Sequence, residues 1–289
     1  MEPDATILVT GASTGIGETV VRRLDQLGYL VIAGVRQPAD AARLRATISP
    51  RIQTIELDVT QPEHLERLPG TLAAMTGRRG LDGLVNNAGI AVGGPIEYLP
   101  LALVRQQFEV NVFGLLAVTQ ACLPFLRVAR GRIVNIGSIA GISTTPMVTP
   151  YCMSKHAVEA LTDGLRLELA DTGIQVVVVE PGAVKTPIWD KGRSMLADAE
   201  GTLPPIALKR YGRRLQLMGK LLQANNLRAV APDRVADAVV EAIEANPPKT
   251  RYLVGADAKI RALIARLLPD WVGDALVRSV LARMEKTVR

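Results

Sequence analysis

Strand-length apolar runs alternate with helix-length amphipathic segments over the first 180 residues of this chain. The apolar runs predict six strands, at residues 5–10, 30–35, 52–57, 81–86, 132–137 and 174–180. The segments between them predict helices at residues 15–27, 39–47, 62–76, 101–127 (with a kink at Pro124) and 151–172. Repeated strand–helix units predict an α/β fold with a doubly wound parallel sheet.

This alternation stops after residue 186. Residues 187–230 show no strand pattern, but Leu215, Leu217, Met218, Leu221 and Leu222 are interleaved with basic residues at helical spacing, which predicts a helical insertion. A helix at 232–245, a strand at 251–255 and a helical extension over 256–289 follow. Because there is no internal repeat and no low-complexity linker, we expect one domain over residues 1–289.

Composition excludes several classes of protein. A chain with 48% hydrophobic and 21% charged residues is globular and not disordered. Its two cysteines give no disulfide framework and predict a reducing compartment, so we expect a cytoplasmic protein. We expect neither a signal peptide nor a transmembrane segment, because the longest uncharged stretch, residues 133–154, is broken by Gly, Ser, Thr and Pro. With 3% aromatic residues and two histidines, we expect no nucleic-acid partner and no metal site.

The net charge of +6 is concentrated in two segments. Residues 201–230 hold six basic residues and no acid, residues 249–289 carry a net charge of +5, and the remainder is mildly acidic. These segments could contact acidic lipid headgroups at a membrane surface or the phosphates of coenzyme A. The alternative is a solvated basic face.

Three glycines lie between the first predicted strand and the first predicted helix. Gly11, Gly15 and Gly17 form a G-x3-G-x-G pattern. Without Cβ atoms the backbone can turn sharply and approach a pyrophosphate, whose charge a helix N-terminus stabilises. The pattern and its placement predict a dinucleotide site; the alternative is a tight turn that packs the helix onto the strand.

The end of the second predicted strand indicates which dinucleotide binds. The run Gly34-Val35-Arg36 has no acid to accept hydrogen bonds from the adenosine ribose hydroxyls. The guanidinium of Arg36 suits a 2′-phosphate instead. The sequence therefore favours NADP(H), with NAD(H) as the alternative if Arg36 is only a solvated surface residue.

Four polar residues form a candidate catalytic set. Tyr151 and Lys155 are four residues apart on a predicted helix, so a lysine ammonium can lower the pKa of the phenol and let it exchange a proton with a substrate oxygen. Ser138 follows the fifth strand, where its hydroxyl can polarise that oxygen. Asn111 interrupts an apolar helix, either as part of a water relay toward Lys155 or as a core amide satisfied by backbone.

In combination these motifs resemble the short-chain dehydrogenase/reductase family over residues 5–255. The matching segments are Thr-Gly-x3-Gly-x-Gly at 10–17, Leu-Asp-Val at 57–59, Asn-Asn-Ala-Gly at 86–89, and Pro-Gly at 181–182 followed by Thr186. Asn111, Ser138, Tyr151 and Lys155 match the catalytic tetrad of the family. One departure is Ser13-Thr14, where many NADP(H)-binding members carry a second basic residue.

The resemblance implies a Rossmann-type fold, a nicotinamide cofactor and alcohol/carbonyl redox chemistry. Tyr151 would be the acid/base, and Lys155 would lower its pKa and hold the nicotinamide ribose. Ser138 would orient the substrate, and Asn111 would anchor the relay water. The implied cofactor-binding residues are Gly11, Ser13, Gly15, Ile16, Gly17, Arg36, Asp58, Val59, Asn87, Ala88, Gly89, Tyr151, Lys155, Pro181, Gly182, Val184 and Thr186.

The same resemblance makes residues 187–230 a substrate lid over a small hydrophobic alcohol or ketone, and the layout is similar to retinol- and hydroxysteroid-type members. The alternative is a helix that simply packs on the body. Reduction of a 3-oxoacyl thioester and a nucleotide-sensing module without turnover are alternative functions. Members often pair through the helices equivalent to residues 101–127 and 151–172, which implies a homodimer or homotetramer.

Overall fold

A computed structural model describes residues 4–188 and 203–287. Within these residues seven strands form one parallel sheet in the order β3-β2-β1-β4-β5-β6-β7. They are β1 Thr6–Val9, β2 Leu30–Val35, β3 Gln53–Glu56, β4 Gly83–Asn86, β5 Arg132–Ile136, β6 Gln175–Pro181 and β7 Arg251–Val254. The strand order reverses between β1 and β4, so a crevice opens at the carboxyl ends of these strands.

Helices cover both faces of the sheet. They are α1 Gly15–Gln26, α2 Pro38–Thr47, α3 Pro62–Thr76, α4 Leu101–Phe108, α5 Leu115–Ala129, α6 Thr149–Glu168, α7 Pro205–Arg228, α8 Pro232–Glu244, α9 Ala256–Leu267 and α10 Asp270–Thr287. Apolar residues of α1, α2 and α8 form the core on one face, and those of α3, α5 and α6 form the core on the other. The predicted Rossmann-type, doubly wound α/β fold is confirmed.

The valine run of β6 shows why this sequence forms a central strand. Val177 and Val179 belong to the core on one face, whereas Val176 belongs to the core on the other. Side chains of a strand point to alternate faces, so a strand covered by helices on both sides buries successive residues, which suits a run of valines. β6 pairs with β5 and β7 along its length.

The long helix predicted over residues 101–127 differs from the structure. A π-helical segment, Glu109–Gly114, separates α4 from α5. The predicted kink site, Pro124, lies inside α5, which continues to Ala129. A π-helical turn inserts an extra residue and redirects the backbone carbonyls, and such turns are frequent at functional sites. The interruption therefore lies at Asn111, one of the candidate catalytic residues.

The predicted insertion contains the helix α7. It buries Leu217 and Met218 and exposes Lys209 and Arg213, as the helical spacing of its apolar residues predicts. Residues 189–202 of the insertion lie outside the described residues. Its role as a lid stays a prediction.

The stretch Leu101–Ala129 passes a composition test for a membrane span. It has 29 residues, and a third of its most apolar window is buried inside the fold. Core helices of globular proteins have the same length and composition. The absence of a transmembrane segment stays a prediction.

The helices expected to form a subunit interface present apolar side chains to solvent. Leu101 on α4 and Val128 on α5 are exposed, as is Phe113 in the π segment between them. On α6, Met153 and Leu167 are exposed as well. Burial of these residues would favour association, but the homodimer or homotetramer stays a prediction.

Candidate active site

The glycine loop joins β1 to α1 at the point where the strand order reverses. A Cβ on Gly11 would lie 2.7 Å from the Ala88 Cα, and a Cβ on Gly17 would lie 2.3 Å from the Gly11 carbonyl oxygen. Gly11 and Gly15 also have positive φ angles of 61°. These positions therefore need glycine for close backbone approach and for left-handed backbone conformation.

The loop after β4 is tied directly to the glycine loop. The Thr10 hydroxyl accepts hydrogen bonds from the backbone N–H groups of Asn87 and Ala88, both at 3.0 Å. The Asn87 amide donates to the carbonyls of Thr10 and Gly11, also at 3.0 Å. Two of the sequence motifs thus form one rigid unit around the N-terminus of α1.

Two adjoining cavities bring most of the predicted site residues together. The first, which encloses about 990 Å³ together with the solvent at its mouth, is lined by Gly11, Ser13, Gly15, Ile16, Arg36, Asp58, Val59, Asn87, Ala88, Gly89 and Thr186. The second, of about 570 Å³ on the same basis, is lined by Asn111, Ser138, Tyr151, Lys155, Pro181, Gly182 and Val184. Gly17 lies behind this lining and packs against Gly11. Ile16, Asn87 and Thr186 are among the residues that line both cavities.

The first cavity fits a dinucleotide. Gly11 and Gly15 line this cavity at the start of α1, and the N-terminus of that helix attracts the negative charge of a pyrophosphate. The exposed Arg36 lies at the rim and forms no ion pair with the described residues, so its guanidinium can bind an added phosphate. Asp58 is occupied locally, because its Oδ1 accepts hydrogen bonds from the Thr60 N–H and hydroxyl.

A second guanidinium reaches the glycine loop from α2. Arg43 donates to the carbonyl oxygen of Ser13 and pairs with Glu18 at 3.2 Å. Ser13-Thr14 itself carries no basic residue, and the contact from Arg43, thirty positions further along the chain, was not predicted. No local pattern indicated it, because Arg43 lies on a different helix from the glycine loop.

The second cavity contains three of the four candidate catalytic side chains in close proximity. The Lys155 Nζ lies 5.8 Å from the centroid of the Tyr151 ring and donates to the Ile136 carbonyl at 2.6 Å. The Ser138 hydroxyl lies within hydrogen-bonding range of the phenol. Ser138 is fixed at the end of β5, since its Oγ accepts the Ala140 N–H at 3.1 Å.

Burial controls the ionisation of these groups. It raises the pKa of Tyr151 to about 12, against the opposing effect of the hydrogen bond from Ser138. It also lowers the pKa of Lys155 to about 8, against the attraction of Glu159. Within this chain the phenol at neutral pH is therefore the proton-bearing form, while the lysine is still mainly an ammonium.

Asn111 has a different environment from the other three residues. Its Oδ1 accepts the Ile90 N–H at 2.9 Å, and its Nδ2 donates to the Ile90 carbonyl and the Ser154 Oγ, both at 3.1 Å. Both amide donors are thus used inside the protein. The Nδ2 hydrogens therefore serve the core, and a relay water would have to donate to Oδ1 or to the backbone carbonyl of Asn111.

Three residues that support the site were not predicted from the sequence. Gln107 is fully buried and bridges the Ile90 carbonyl and the Val92 N–H, both at 2.7 Å. Ser154 is also fully buried and donates to the Tyr151 carbonyl at 2.8 Å. Asp257, at the start of α9, accepts the Ala183 N–H at 2.8 Å. A polar residue within an apolar helix face was the clue for Gln107; nothing local indicated Asp257.

The α7 helix is linked to the loop after β4 by exposed polar contacts. Arg210 donates to Glu97 at 2.7 Å and to the Tyr98 hydroxyl at 2.8 Å, and the Tyr211 hydroxyl donates to Glu97 at 2.8 Å. The Tyr98 and Tyr211 rings pack edge to face at 6.0 Å. We refer to these four residues as the clasp.

The described residues include no cluster of three or more His, Cys, Asp or Glu side chains that could hold a metal ion. His64 has a structural contact instead, since its Nδ1 accepts the Asp58 N–H at 2.9 Å.

Comparisons with known proteins identify the family. The model of the family described as short chain dehydrogenase matches residues 5–197. The chain is 36% identical to mouse retinol dehydrogenase 5, over 99% of this chain and 91% of that protein. It is 34% identical to the NADPH-dependent 3-dehydrocapnine reductase of Ornithobacterium rhinotracheale, over 96% and 97%.

A solved structure supports the same assignment. A serine dehydrogenase complexed with NADP+ in its closed form superposes with a TM-score of 0.72 and 27% identity, over 86% of this chain and 94% of that one. Its fold and the sequence relatives agree with the glycine cradle and the grouped Ser138, Tyr151 and Lys155. This chain is an oxidoreductase of the short-chain dehydrogenase/reductase family.

Proposed function

We propose that this protein is an NADP(H)-preferring oxidoreductase that interconverts a hydrophobic alcohol and its ketone or aldehyde. The observation that carries the proposal is the meeting of the buried side chains of Ser138, Tyr151 and Lys155 in one cavity that adjoins the glycine-lined cleft. A bound nicotinamide would supply or accept the hydride there. The protein must then bind the carbonyl and manage one proton.

The chain's own side chains can perform that task. Ser138 hydrogen-bonds the substrate oxygen and fixes its position next to the phenol. Tyr151, kept neutral by burial, donates its proton to this oxygen during reduction and takes it back during oxidation. The Lys155 ammonium, whose Nζ lies 5.8 Å from the centroid of the Tyr151 ring, stabilises the phenolate left behind, because opposite charges attract more strongly in a partly buried site than in water.

The preference for NADP(H) rests on charge at the adenosine end. Arg36 lies at the rim of the first cavity, and Arg43 reaches the glycine loop from α2. Arg36 has no carboxylate partner among the described residues, whereas Arg43 already pairs with Glu18 at 3.2 Å, so Arg36 is the stronger candidate for binding a 2′-phosphate. One relative is named as NADPH-dependent, and one structural neighbour holds NADP+.

The hydrophobic substrate class rests on the apolar side chains of the second cavity and on the relatives. Ile90, Ile136 and Ile188 line this cavity beside the catalytic groups and the polar Asn87 and Thr186. Apolar side chains next to a few convergent polar groups favour a substrate that buries hydrocarbon and presents one oxygen. Two of the relatives are named as a retinol dehydrogenase and an 11-beta-hydroxysteroid dehydrogenase.

A 3-oxoacyl thioester is the second candidate substrate. The basic side chains Lys209, Arg213 and Arg214 are exposed on α7, where they could bind the phosphates of coenzyme A. The catalytic chemistry would be the same, so the two candidates differ only in the substrate. Loss of NADPH absorbance with retinoids, ketosteroids and 3-oxoacyl-CoA separates them.

The test of the catalytic assignment is Tyr151→Phe. We expect turnover of the best substrate to fall by about 10²–10⁴-fold, because the proton donor is lost while the ring remains. Tyr29→Phe is the matched control, since Tyr29 is also buried but precedes β2, at the opposite end of the strands. Turnover by Tyr151→Phe at the wild-type rate would refute the role of the phenol.

A further inference from the structure

Two glutamates are buried side by side just below the catalytic lysine. Glu180, near the end of β6, has no exposed surface, and Glu159, one helical turn after Lys155 on α6, is 9% exposed. The two carboxyl groups lie within hydrogen-bonding range of each other. Neither side chain has a role in the proposed chemistry, so their burial needs an explanation.

The hydrogen bonding of this pair is incomplete if both glutamates are ionised. All four carboxyl oxygens are buried, and in the part of the chain described none accepts a hydrogen bond from a donor. Two carboxylates can only accept, so their close approach is repulsive. One proton between them would convert the contact into a hydrogen bond and remove one buried charge.

Charged groups surround the pair from α6, β7 and α9. Arg251 on β7 lies 3.3 Å from Glu159, 3.6 Å from Glu180 and 2.7 Å from Asp163. Lys155 faces Glu159 from the same helix, and Arg266 on α9 also acts on Glu180.

Asp163 has partners of its own, since it pairs with Arg166 at 2.9 Å as well as with Arg251. The buried oxygens of Glu159 and Glu180, in contrast, have no hydrogen-bond donor in the part of the chain described. One proton between these two glutamates removes one of two adjacent buried charges, which are costly in the interior.

Lys155 and Glu159 both contact the end of β5. The Lys155 Nζ donates to the carbonyl of Ile136, and the Glu159 Oε1 lies 2.9 Å from the position that a Cβ on the next residue, Gly137, would occupy. A Cβ on Gly141 would lie 2.8 Å from the Lys155 carbonyl oxygen and 3.0 Å from the Glu159 Cγ. Because positions 137 and 141 carry no side chain, α6 can pack closely against the end of β5 at Lys155 and Glu159.

We propose that Glu159 and Glu180 share one proton and present a single negative charge to Lys155, which keeps this lysine an ammonium next to Tyr151. The pair is a positioning element for the acid/base chemistry and does not touch the substrate. Burial alone lowers the pKa of Lys155, and the carboxylate opposes this change. This inference rests on the proposed function for its kinetic consequence only; the shared proton is a property of the fold.

The shared proton can be measured without a substrate. Infrared spectra at pH 7 should show the carbonyl stretch of a protonated carboxylic acid in the wild-type protein, and this band should be lost in Glu180→Gln and in Glu159→Gln. The control is Glu168→Gln, because Glu168 lies on α6 but is exposed; this variant should keep the band. Absence of the band from the folded wild-type protein at pH 7 would overturn the proposal.

The effect on Lys155 is tested with the glutamine series. Each single variant retains one carboxylate, and the new amide replaces the shared proton as donor, so the alkaline limb of the kcat profile should stay in place. Glu159→Gln/Glu180→Gln removes the charge, and the limb should move to lower pH by about one unit or more. A lost hydrogen bond that merely loosened the fold would lower stability without moving this limb.

A second readout separates failure of this inference from failure of the proposed function. In protein labelled with ¹³C-lysine, the ε-carbon resonance of Lys155, assigned with Lys155→Arg, reports its ionisation without turnover. We expect its pKa to fall in the double variant and not in Glu168→Gln. An unchanged lysine pKa in the double variant would overturn the inference, whereas a protein with no turnover but a shifted lysine would overturn only the proposed function.

Discussion

The cofactor cleft and the catalytic cavity share a wall but differ in how they are built. The cleft is shaped by backbone, with Gly11 and Gly17 in contact distance of neighbouring main chain. The catalytic cavity is built from buried ionisable side chains, with Tyr151, Lys155 and the Glu159–Glu180 pair beside it. The first can therefore be damaged by a single methyl group and the second by a change of pH.

The largest effect is expected from a substitution in the cofactor cleft. In Gly17→Ala the new methyl group would lie 2.3 Å from the Gly11 carbonyl oxygen and 2.4 Å from the Asn87 amide nitrogen. Because backbone and a hydrogen-bonded side chain must both move, we expect the free energy of unfolding to fall by about 2–4 kcal/mol. We also expect the affinity for NADPH to fall at least tenfold, measured by denaturant unfolding and by cofactor fluorescence.

The matched control lies on the catalytic helix. A Cβ on Gly164 of α6 would have nothing within 4 Å. Gly164→Ala should therefore be neutral or stabilise the protein by about 0.5–1 kcal/mol, as alanine does in a helix interior. If Gly17→Ala behaved like this control, the cleft would not depend on close backbone approach.

The second prediction concerns Glu180, which lies beside the catalytic cavity and not in the cofactor cleft. Burial and the neighbouring Glu159 raise the pKa of Glu180 from 4.5 to about 8. A carboxyl group whose pKa is raised in the folded state stabilises the fold at low pH, and this stability is lost as the pH rises to the folded pKa. The free energy of unfolding should therefore fall between pH 4.5 and about 8.

The contribution of Glu180 to the pH dependence of the unfolding free energy can be isolated with one variant. The slope should approach about 1.4 kcal/mol per pH unit where the folded protein holds one more proton than the unfolded chain. Glu180→Gln lacks this ionisation, so the difference in unfolding free energy between wild type and variant should carry the slope. Two parallel pH curves would mean that Glu180 is not protonated in the fold.

The features that the sequence predicted are those that depend on local backbone geometry. Glycines 11, 15 and 17 lie within seven residues of the chain, and their role depends on local backbone geometry. The motif and its place after β1 were therefore sufficient to predict the cofactor cleft. The α/β alternation was equally local, since each strand and helix carries its own period. Helix and strand ends differed from the predictions by only a few residues.

The features that were not predicted depend on contacts between distant parts of the chain. The π segment at Asn111 is held by Ile90, twenty-one residues earlier. Arg43 and Asp257 reach the site from α2 and α9, and the raised pKa of Glu180 arises only when β6 and α6 bring two acids together. No local pattern encodes such pairings.

The third prediction concerns the adenosine end of the cleft. Arg36→Ala should lower the ratio of NADPH to NADH affinity by about tenfold or more, because a charge-assisted contact with the 2′-phosphate is lost. Arg43→Ala should lower it less, since Arg43 already pairs with Glu18. Arg45→Ala is the control, because this exposed arginine of α2 contacts Thr54. Equal ratios in Arg36→Ala and Arg45→Ala would remove the basis for the NADP(H) preference.

The smallest expected effect concerns the clasp between α7 and the loop after β4. Glu97→Gln weakens the contacts with Arg210 and Tyr211, which are exposed and therefore weak individually. We expect KM for a bulky substrate to change by about twofold to fivefold, with cofactor affinity unchanged. Glu66→Gln is the control, since Glu66 is an exposed residue of α3.

The KM of Glu97→Gln for bulky substrates distinguishes two roles for α7. If α7 closes over the substrate, a weaker clasp raises KM for bulky substrates and leaves the affinity for NADPH unaltered. If α7 only packs on the body of the fold, Glu97→Gln and Glu66→Gln give the same KM. Because the clasp joins α7 to the loop that follows β4, a change in NADPH affinity would instead show that the two cavities are mechanically coupled.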